Sequence, residues 1–93
     1  MKIYRAMCNE EFDKTLSSGR PDFLRRFKWF SPNIEWVYSR VKDGKFNNSK
    51  FKKGRYEYVC EFEWDGSGAD FSSINEIQFD RRKNPKITFV KLL

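Results

Sequence analysis

A ten-residue segment with a two-residue period constrains the fold of this chain more than any other feature. Residues 55–64 read Arg-Tyr-Glu-Tyr-Val-Cys-Glu-Phe-Glu-Trp, so every second residue is aromatic or cysteine. Successive side chains of a strand point to opposite faces, and the period therefore predicts a long strand with one buried face. That face is expected to hold Tyr56, Tyr58, Cys60, Phe62 and Trp64.

Helix and strand signals surround this segment. Residues 2–6 and 26–30 suit short strands, and residues 76–80 and 86–92 suit two later ones. Asn9 is predicted to cap a first helix that ends at Gly19. Ser31 is predicted to cap a second helix, with Pro32 at its first position, that ends at 43–44. The order predicts an α+β fold, with two short helices packed on one side of a mostly antiparallel sheet of about five strands.

Composition sets the class of protein. Ninety-three residues form a single domain, 1–93, and 39% hydrophobic with 18% aromatic residues exclude a disordered chain. An apolar run long enough to span a membrane is absent, and so is an apolar leader, which favours a cytoplasmic protein with no membrane contact. Cys8 and Cys60 cannot form a disulfide framework and are expected to be small buried residues. The sequence contains no histidine, which excludes histidine triads and histidine metal ligands, and no metal site is predicted.

The positive charge is concentrated in one segment. Residues 40–55 hold seven basic residues against Asp43, a net charge of +6 that equals the net charge of the whole chain. Phenylalanines lie between these cations, as in grooves where cations bind phosphates and rings stack on bases. The segment therefore predicts contact with an acidic macromolecule, protein or nucleic acid, although a merely solubilising surface would look the same. The candidate contact residues are Lys45, Lys50, Phe51, Lys52, Lys53 and Arg55.

Three short motifs occur in a suggestive order. Tyr4-Arg5 lies on the first strand, Phe30-Ser31-Pro32 lies where the second strand ends and a helix begins, and residues 75–79 read Asn-Glu-Ile-Gln-Phe before the last turn and strand. This order resembles small ADP-ribosyltransferase-like domains, including toxin and phage members. In that family an arginine follows an aromatic residue on the first strand. A serine motif then lies at a strand end, and a glutamate lies on a late strand that opens the last hairpin.

The resemblance implies NAD as cofactor and a role for each motif. Arg5 would clamp the phosphate or ribose of NAD, because a planar guanidinium suits bidentate contacts with oxyanions. Ser31 would fix the pocket and steady Glu76. Glu76 would hydrogen-bond the nicotinamide ribose and stabilise the positive charge that develops as nicotinamide leaves. The resemblance also implies a ring that stacks on nicotinamide, from Tyr4, Trp29 or Phe30.

Two other functions are compatible with the same residues. The chain would also suit a non-catalytic, phage-encoded inhibitor that blocks a host-defence or nucleic-acid-binding partner through its basic loop. A compact ribonuclease toxin is the other alternative, because arginine, lysine and tyrosine can serve RNA cleavage without histidine.

Overall fold

The alternating segment forms the centre of a small α+β fold. The computed structural model describes residues 1–23, 25–42 and 56–93. These ranges contain six strands, two α-helices and one short 3-10 helix over Arg81–Lys83. In chain order the strands and α-helices are β1 (Lys2–Met7), α1 (Asn9–Ser18), β2 (Phe27–Phe30), α2 (Ile34–Lys42), β3 (Tyr58–Trp64), β4 (Ala69–Ser72), β5 (Ile77–Asp80) and β6 (Ile87–Leu92).

The strands form two antiparallel sheets rather than the one sheet of about five strands that we expected. The first sheet has the order β1-β3-β6 and the second the order β2-β5-β4. The sheets meet where β1 approaches the end of β2: Tyr4 and Ser31 exchange two backbone hydrogen bonds of 2.7 and 2.8 Å. β4 falls where the sequence predicted only a polar loop. It is a four-residue edge strand with an irregular register between Ala69 and Phe71, and such a segment carries little periodic signal.

The main core fills the space between the two sheets. Phe62 of β3 and Phe79 of β5 are fully buried, and both rings make edge contacts with Phe30, at centroid distances of 5.2 and 5.3 Å. The predicted inward face of β3 is confirmed for Cys60, Phe62 and Trp64, which all belong to this core. Burial raises the pKa of the Cys60 thiol to about 11, as expected for an inert packing residue.

The opposite face of β3 is buried in part, at Val59 and Glu61, whereas Glu63 is exposed. Val59 packs with Ala6 of β1 and Val37 of α2 in a second, smaller core. Phe12 of α1 instead packs on the main core and stacks on Tyr58 at 4.5 Å. The helices therefore lie against opposite faces of the first sheet, and the prediction that both pack on one side is wrong.

Both predicted helix N-caps are wrong, whereas the C-terminus of α1 is confirmed. The residue before α1 is Cys8, and Asn9 is already helical. The cap of α2 is Asn33, whose Oδ1 accepts hydrogen bonds from the backbone N–H groups of Glu35 and Trp36 at 3.1 and 3.3 Å. Gly19 ends α1 with a φ of 71°, a left-handed conformation that glycine adopts without strain.

The remaining elements follow the sequence with small shifts. β5 and β6 begin at Ile77 and Ile87, one residue later than predicted, and β3 begins at Tyr58. In the part of the chain that the structure describes, neither helix is long and apolar enough to cross a membrane.

Candidate functional site

The strand pairing brings the three motif residues onto neighbouring strands. Tyr4 and Ser31 form the bridge between β1 and β2, which places Arg5 one residue beyond that bridge. Phe30 of β2 pairs with Ile77 of β5, so Ser31 and Glu76 each lie one residue past the same pair. Residues separated by up to 71 positions in the chain thus lie near the junction of the two sheets.

The guanidinium of Arg5 is held by two partners from different elements. Its Nε and Nη2 donate to the two carboxylate oxygens of Glu11 on α1, at 2.6 and 2.9 Å. Its Nη1 donates to the backbone carbonyl of Trp29 on β2, at 2.7 Å. Burial disfavours the charged form, but the Glu11 carboxylate outweighs it, and the pKa of Arg5 stays above its ordinary value. A guanidinium has five N–H donors, so these contacts fix its plane and leave two donors.

Lys28 adds a second cation to the same carboxylate. Its Nζ lies 3.4 Å from Oε2 of Glu11, and its side chain is only 9% exposed. Burial, together with the nearby Arg5 charge, lowers the pKa of Lys28 to about 8. Burial would raise the pKa of Glu11, but Arg5 and then Lys28 outweigh it, so that pKa is lowered and the carboxylate is ionised at neutral pH. Two cations thus share one anion and leave a positive charge at this point.

The Arg5–Glu11–Lys28 cluster lies in a cleft of about 350 Å³ at the open edge of β2. The cleft residues, contributed by β1, α1, β2 and the segments that flank them, are Arg5, Cys8, Glu10, Glu11, Lys14, Asp22, Arg25, Phe27, Lys28, Trp29 and Tyr56. Four cations, three carboxylates and several aromatic rings therefore line the same space. A larger groove of about 860 Å³ runs from the end of α1 to the turn before β6, and it holds none of the three motif residues.

The motif residues do not share one cavity, contrary to our expectation. Arg5 lines the cleft, but Ser31 and Glu76 do not. Ser31 is fully buried; its hydroxyl donates to the carbonyl of Asn33 and accepts from the N–H of the same residue, at 3.1 and 3.0 Å. It shapes the turn into α2 instead of facing a ligand. Glu76 ends the turn before β5, where its backbone N–H donates to the Ser73 hydroxyl at 3.1 Å.

The three aromatic residues proposed to stack on nicotinamide have different surroundings. Phe30 is 3% exposed and packed between Phe62 and Phe79, so a stacking role for it is wrong. Tyr4 is half-buried and packs against the second core. Trp29 is the one of these three that lines the cleft, and its side chain is 43% exposed.

Sequence reasoning missed Glu11 and Lys28. Glu11 lies in the first turn of α1, where an acidic residue is favoured by the helix dipole, and its long-range bond to Arg5 leaves no periodic signal. Lys28 did leave a signal: it occupies an inward position in Phe-Lys-Trp-Phe, where a strand on a core normally places an apolar residue.

Comparison of the chain with protein-family models, curated proteins and solved structures finds no match. The predicted partner contacts at Lys45, Lys50, Phe51, Lys52, Lys53 and Arg55 lie outside the described residues and stay predictions.

Proposed function

We propose that this protein is a small ADP-ribosyltransferase-like enzyme whose cleft beside Arg5 binds NAD and which modifies a macromolecular target. The observation that carries the proposal is the adjacency of β1, β2 and β5, which supports the arginine–serine–glutamate order of that family. Arg5 stands on the first strand of this junction, and Glu76 stands at the start of the late strand.

The cleft has the chemistry that a dinucleotide requires. Arg5, Lys14, Arg25 and Lys28 provide cations for a pyrophosphate, while Trp29 and other rings provide surfaces for a flat heterocycle. Its volume of about 350 Å³ is at the lower end of the range of ligand pockets. Bound NAD would supply an activated glycosidic bond and the ADP-ribosyl group.

The guanidinium of Arg5 is already oriented for an oxyanion in the absence of a ligand. Glu11 and the Trp29 carbonyl hold three of its N–H donors, so a phosphate meets a guanidinium whose orientation is already fixed. Prior ordering of this kind reduces the entropy lost on binding. Ser31 contributes by holding the junction rather than by touching NAD, because its hydroxyl is committed to Asn33.

Glu76 is the residue on which catalysis depends in this proposal. Because Glu76 does not line the cleft, the nicotinamide ribose would have to extend beyond the cleft to reach it. There Glu76 would hydrogen-bond the ribose and place a negative charge near the carbon that becomes positive as the glycosidic bond lengthens. Its half-exposed position at a turn leaves the carboxylate accessible to a substrate.

The test is transfer of label from NAD to the macromolecules of a cell lysate. We expect Glu76→Gln to abolish transfer without a change in thermal stability, because the substitution keeps the shape of the side chain and removes its charge. Glu35→Gln, at an exposed position in the first turn of α2, is the matched control and should keep wild-type transfer. Full activity in Glu76→Gln would contradict the assignment, and failure of the wild-type protein to bind NAD by calorimetry would contradict the function.

A non-catalytic interaction protein is the second candidate, and exposed aromatic residues on the second sheet favour it. In that case the basic segment would contribute to binding. Neutralising Lys50, Lys52 and Lys53 together should then weaken capture of a partner from the same lysate while leaving the melting temperature unchanged.

A further inference from the structure

The outer face of the second sheet carries three exposed aromatic rings. Phe27 and Trp29 are alternate residues of β2 and point away from the core, with exposures of 40% and 43%. Phe71 of β4 is 51% exposed, and its ring centroid lies 6.2 Å from that of Trp29. Gln78 of β5 lies between them, because it pairs with Trp29 on one side and Phe71 on the other. We call Phe27, Trp29 and Phe71 the aromatic face.

Basic side chains border one end of the aromatic face. The Arg26 guanidinium lies 4.8 Å from the centroid of the Phe27 ring and pairs with Asp80 at 3.0 Å. The 3-10 helix that follows β5 starts beside Arg26, since the N–H of Arg81 donates to the Arg26 carbonyl at 2.7 Å. The charged residues of this border are Arg25, Arg26, Asp70, Asp80, Arg81, Arg82 and Lys83. Their net charge is +3.

We propose that the aromatic face binds single-stranded nucleic acid. Unpaired bases expose flat faces that stack on aromatic side chains, and the same strand carries phosphates that pair with arginine and lysine. An antiparallel sheet holds its outward side chains at fixed spacings, so three rings offer a stacking platform for two or three successive bases. Phe27 and Trp29 also border the cleft beside Arg5, whereas Phe71 lies outside its lining. The proposal does not depend on transferase activity.

Charge and shape argue against the other occupants of such a face. A second copy of this chain would bring the same +3 border against the first, and like charges at close range oppose association. In a double helix the faces of the bases are covered by neighbouring bases, so the aromatic rings could not stack on them. An acidic protein would satisfy the arginines but does not require three exposed rings on one sheet face.

Binding can be measured by fluorescence anisotropy with labelled oligonucleotides about twelve nucleotides long, as oligouridine, as oligothymidine and as a duplex. The assay contains no NAD, so its result is independent of the transferase proposal. We expect the single strands to bind and the duplex to bind much more weakly at the same salt concentration.

Substitutions test whether single-stranded nucleic acid binds at the aromatic face. Phe71→Ala and Trp29→Ala should each weaken single-strand binding about tenfold, whereas Trp29→Phe, which keeps a ring, should retain most of the affinity. Tyr38→Ala is the matched control, because Tyr38 is a 42% exposed aromatic residue on α2, away from the second sheet, and should leave the affinity unchanged. Arg82→Gln should reduce the slope of log affinity against log salt by about one contact.

Several results would overturn the proposal. They are an absence of single-strand binding at low salt, equal affinity of Trp29→Ala, Phe71→Ala and the wild type, and an equal loss in Tyr38→Ala. The second result would mean that general positive charge accounts for the binding. Concentration-dependent self-association that disappears in Phe71→Ala would assign the face to a second copy instead.

Discussion

Side chains that alternate along a strand are buried differently in the two sheets. In the first sheet, β3 buries one face in the main core and part of the other, at Val59, beneath α2. In the second sheet, β2 buries Lys28 and exposes Phe27 and Trp29, which reverses the ordinary relation between polarity and burial. Local departures from consistent patterning tend to occur at functional sites, because a protein gains no stability from them. The comparison therefore favours the exposed face of β2, rather than β3, as a binding surface.

The largest expected effect is a difference in stability between a core variant of the first sheet and a surface variant of the second. Phe62→Ala in β3 should lower the free energy of unfolding by about 4 kcal/mol, because a fully buried ring leaves a cavity between Phe30 and Phe89. Trp29→Ala in β2 should cost about 1 kcal/mol or less, since its ring is largely in water. Urea unfolding of both variants measures the difference, and equal losses would show that the aromatic face is part of the core.

The second largest effect concerns Glu11, whose carboxylate contacts both Arg5 and Lys28 in the cleft. Glu11→Gln should cost about 3 kcal/mol at neutral pH, because it leaves the guanidinium of Arg5 and the ammonium of Lys28 close together without their shared anion. Glu10→Gln, in the same turn of α1, is the control and should change stability little. Urea unfolding at pH 7 checks both. A loss as small as that of the control would mean that solvent already screens the cluster.

A pH effect of intermediate size should come from Lys28. The pKa of this buried lysine is about 8, against 10.5 for an unperturbed lysine. Between these values the unfolded chain holds the additional proton, so the contribution of Lys28 to the free energy of unfolding rises with pH, by about 2 kcal/mol from pH 8 to pH 10. The contribution is constant below pH 8. Unfolding measured across this range should show a rise in the wild type that Lys28→Met lacks, and parallel curves would contradict the burial of that charge.

The smallest effect tests the start of α2. Asn33→Ala should cost about 1 kcal/mol, because two backbone N–H groups lose the Oδ1 acceptor that caps the helix. Thermal unfolding checks the value. Asn33→Asp keeps an acceptor at that position and should retain most of the stability, so an equal loss in both variants would point to the contact of Asn33 with Asn75 instead.

Features with a local physical cause could be predicted from the sequence. The strand at 58–64, both helices and the glycine that ends α1 follow from periodicity or from backbone freedom. The division into two sheets could not be predicted, because it depends on which edges pair after the chain collapses. The cap of α2 was misplaced for a related reason. Ser31 and Asn33 are both good capping residues, but the Ser31 hydroxyl bonds to the backbone of Asn33, and the Asn33 side chain caps the helix.

The candidate site could likewise be predicted only in part from the sequence. The sequence order drew attention to Arg5, whose position at the junction of the sheets suits a binding role. Its partners Glu11 and Lys28 come from a helix and from another sheet, so their meeting is a tertiary event with no counterpart in sequence spacing. The inward lysine of β2 was the one local clue to it.

The bond from Arg5 to the carbonyl of Trp29 lies where the pairing between the two sheets stops, beside the cleft. If the pairing of Tyr4 with Ser31 continued in register, Ala6 would lie opposite Trp29, and a continuous six-stranded sheet would result. A side chain takes the acceptor that a main-chain amide would otherwise have used. The pairing between the sheets is thus interrupted at Arg5. Replacing Arg5 by a shorter residue would leave the Trp29 carbonyl free to accept a main-chain hydrogen bond from the edge of β1.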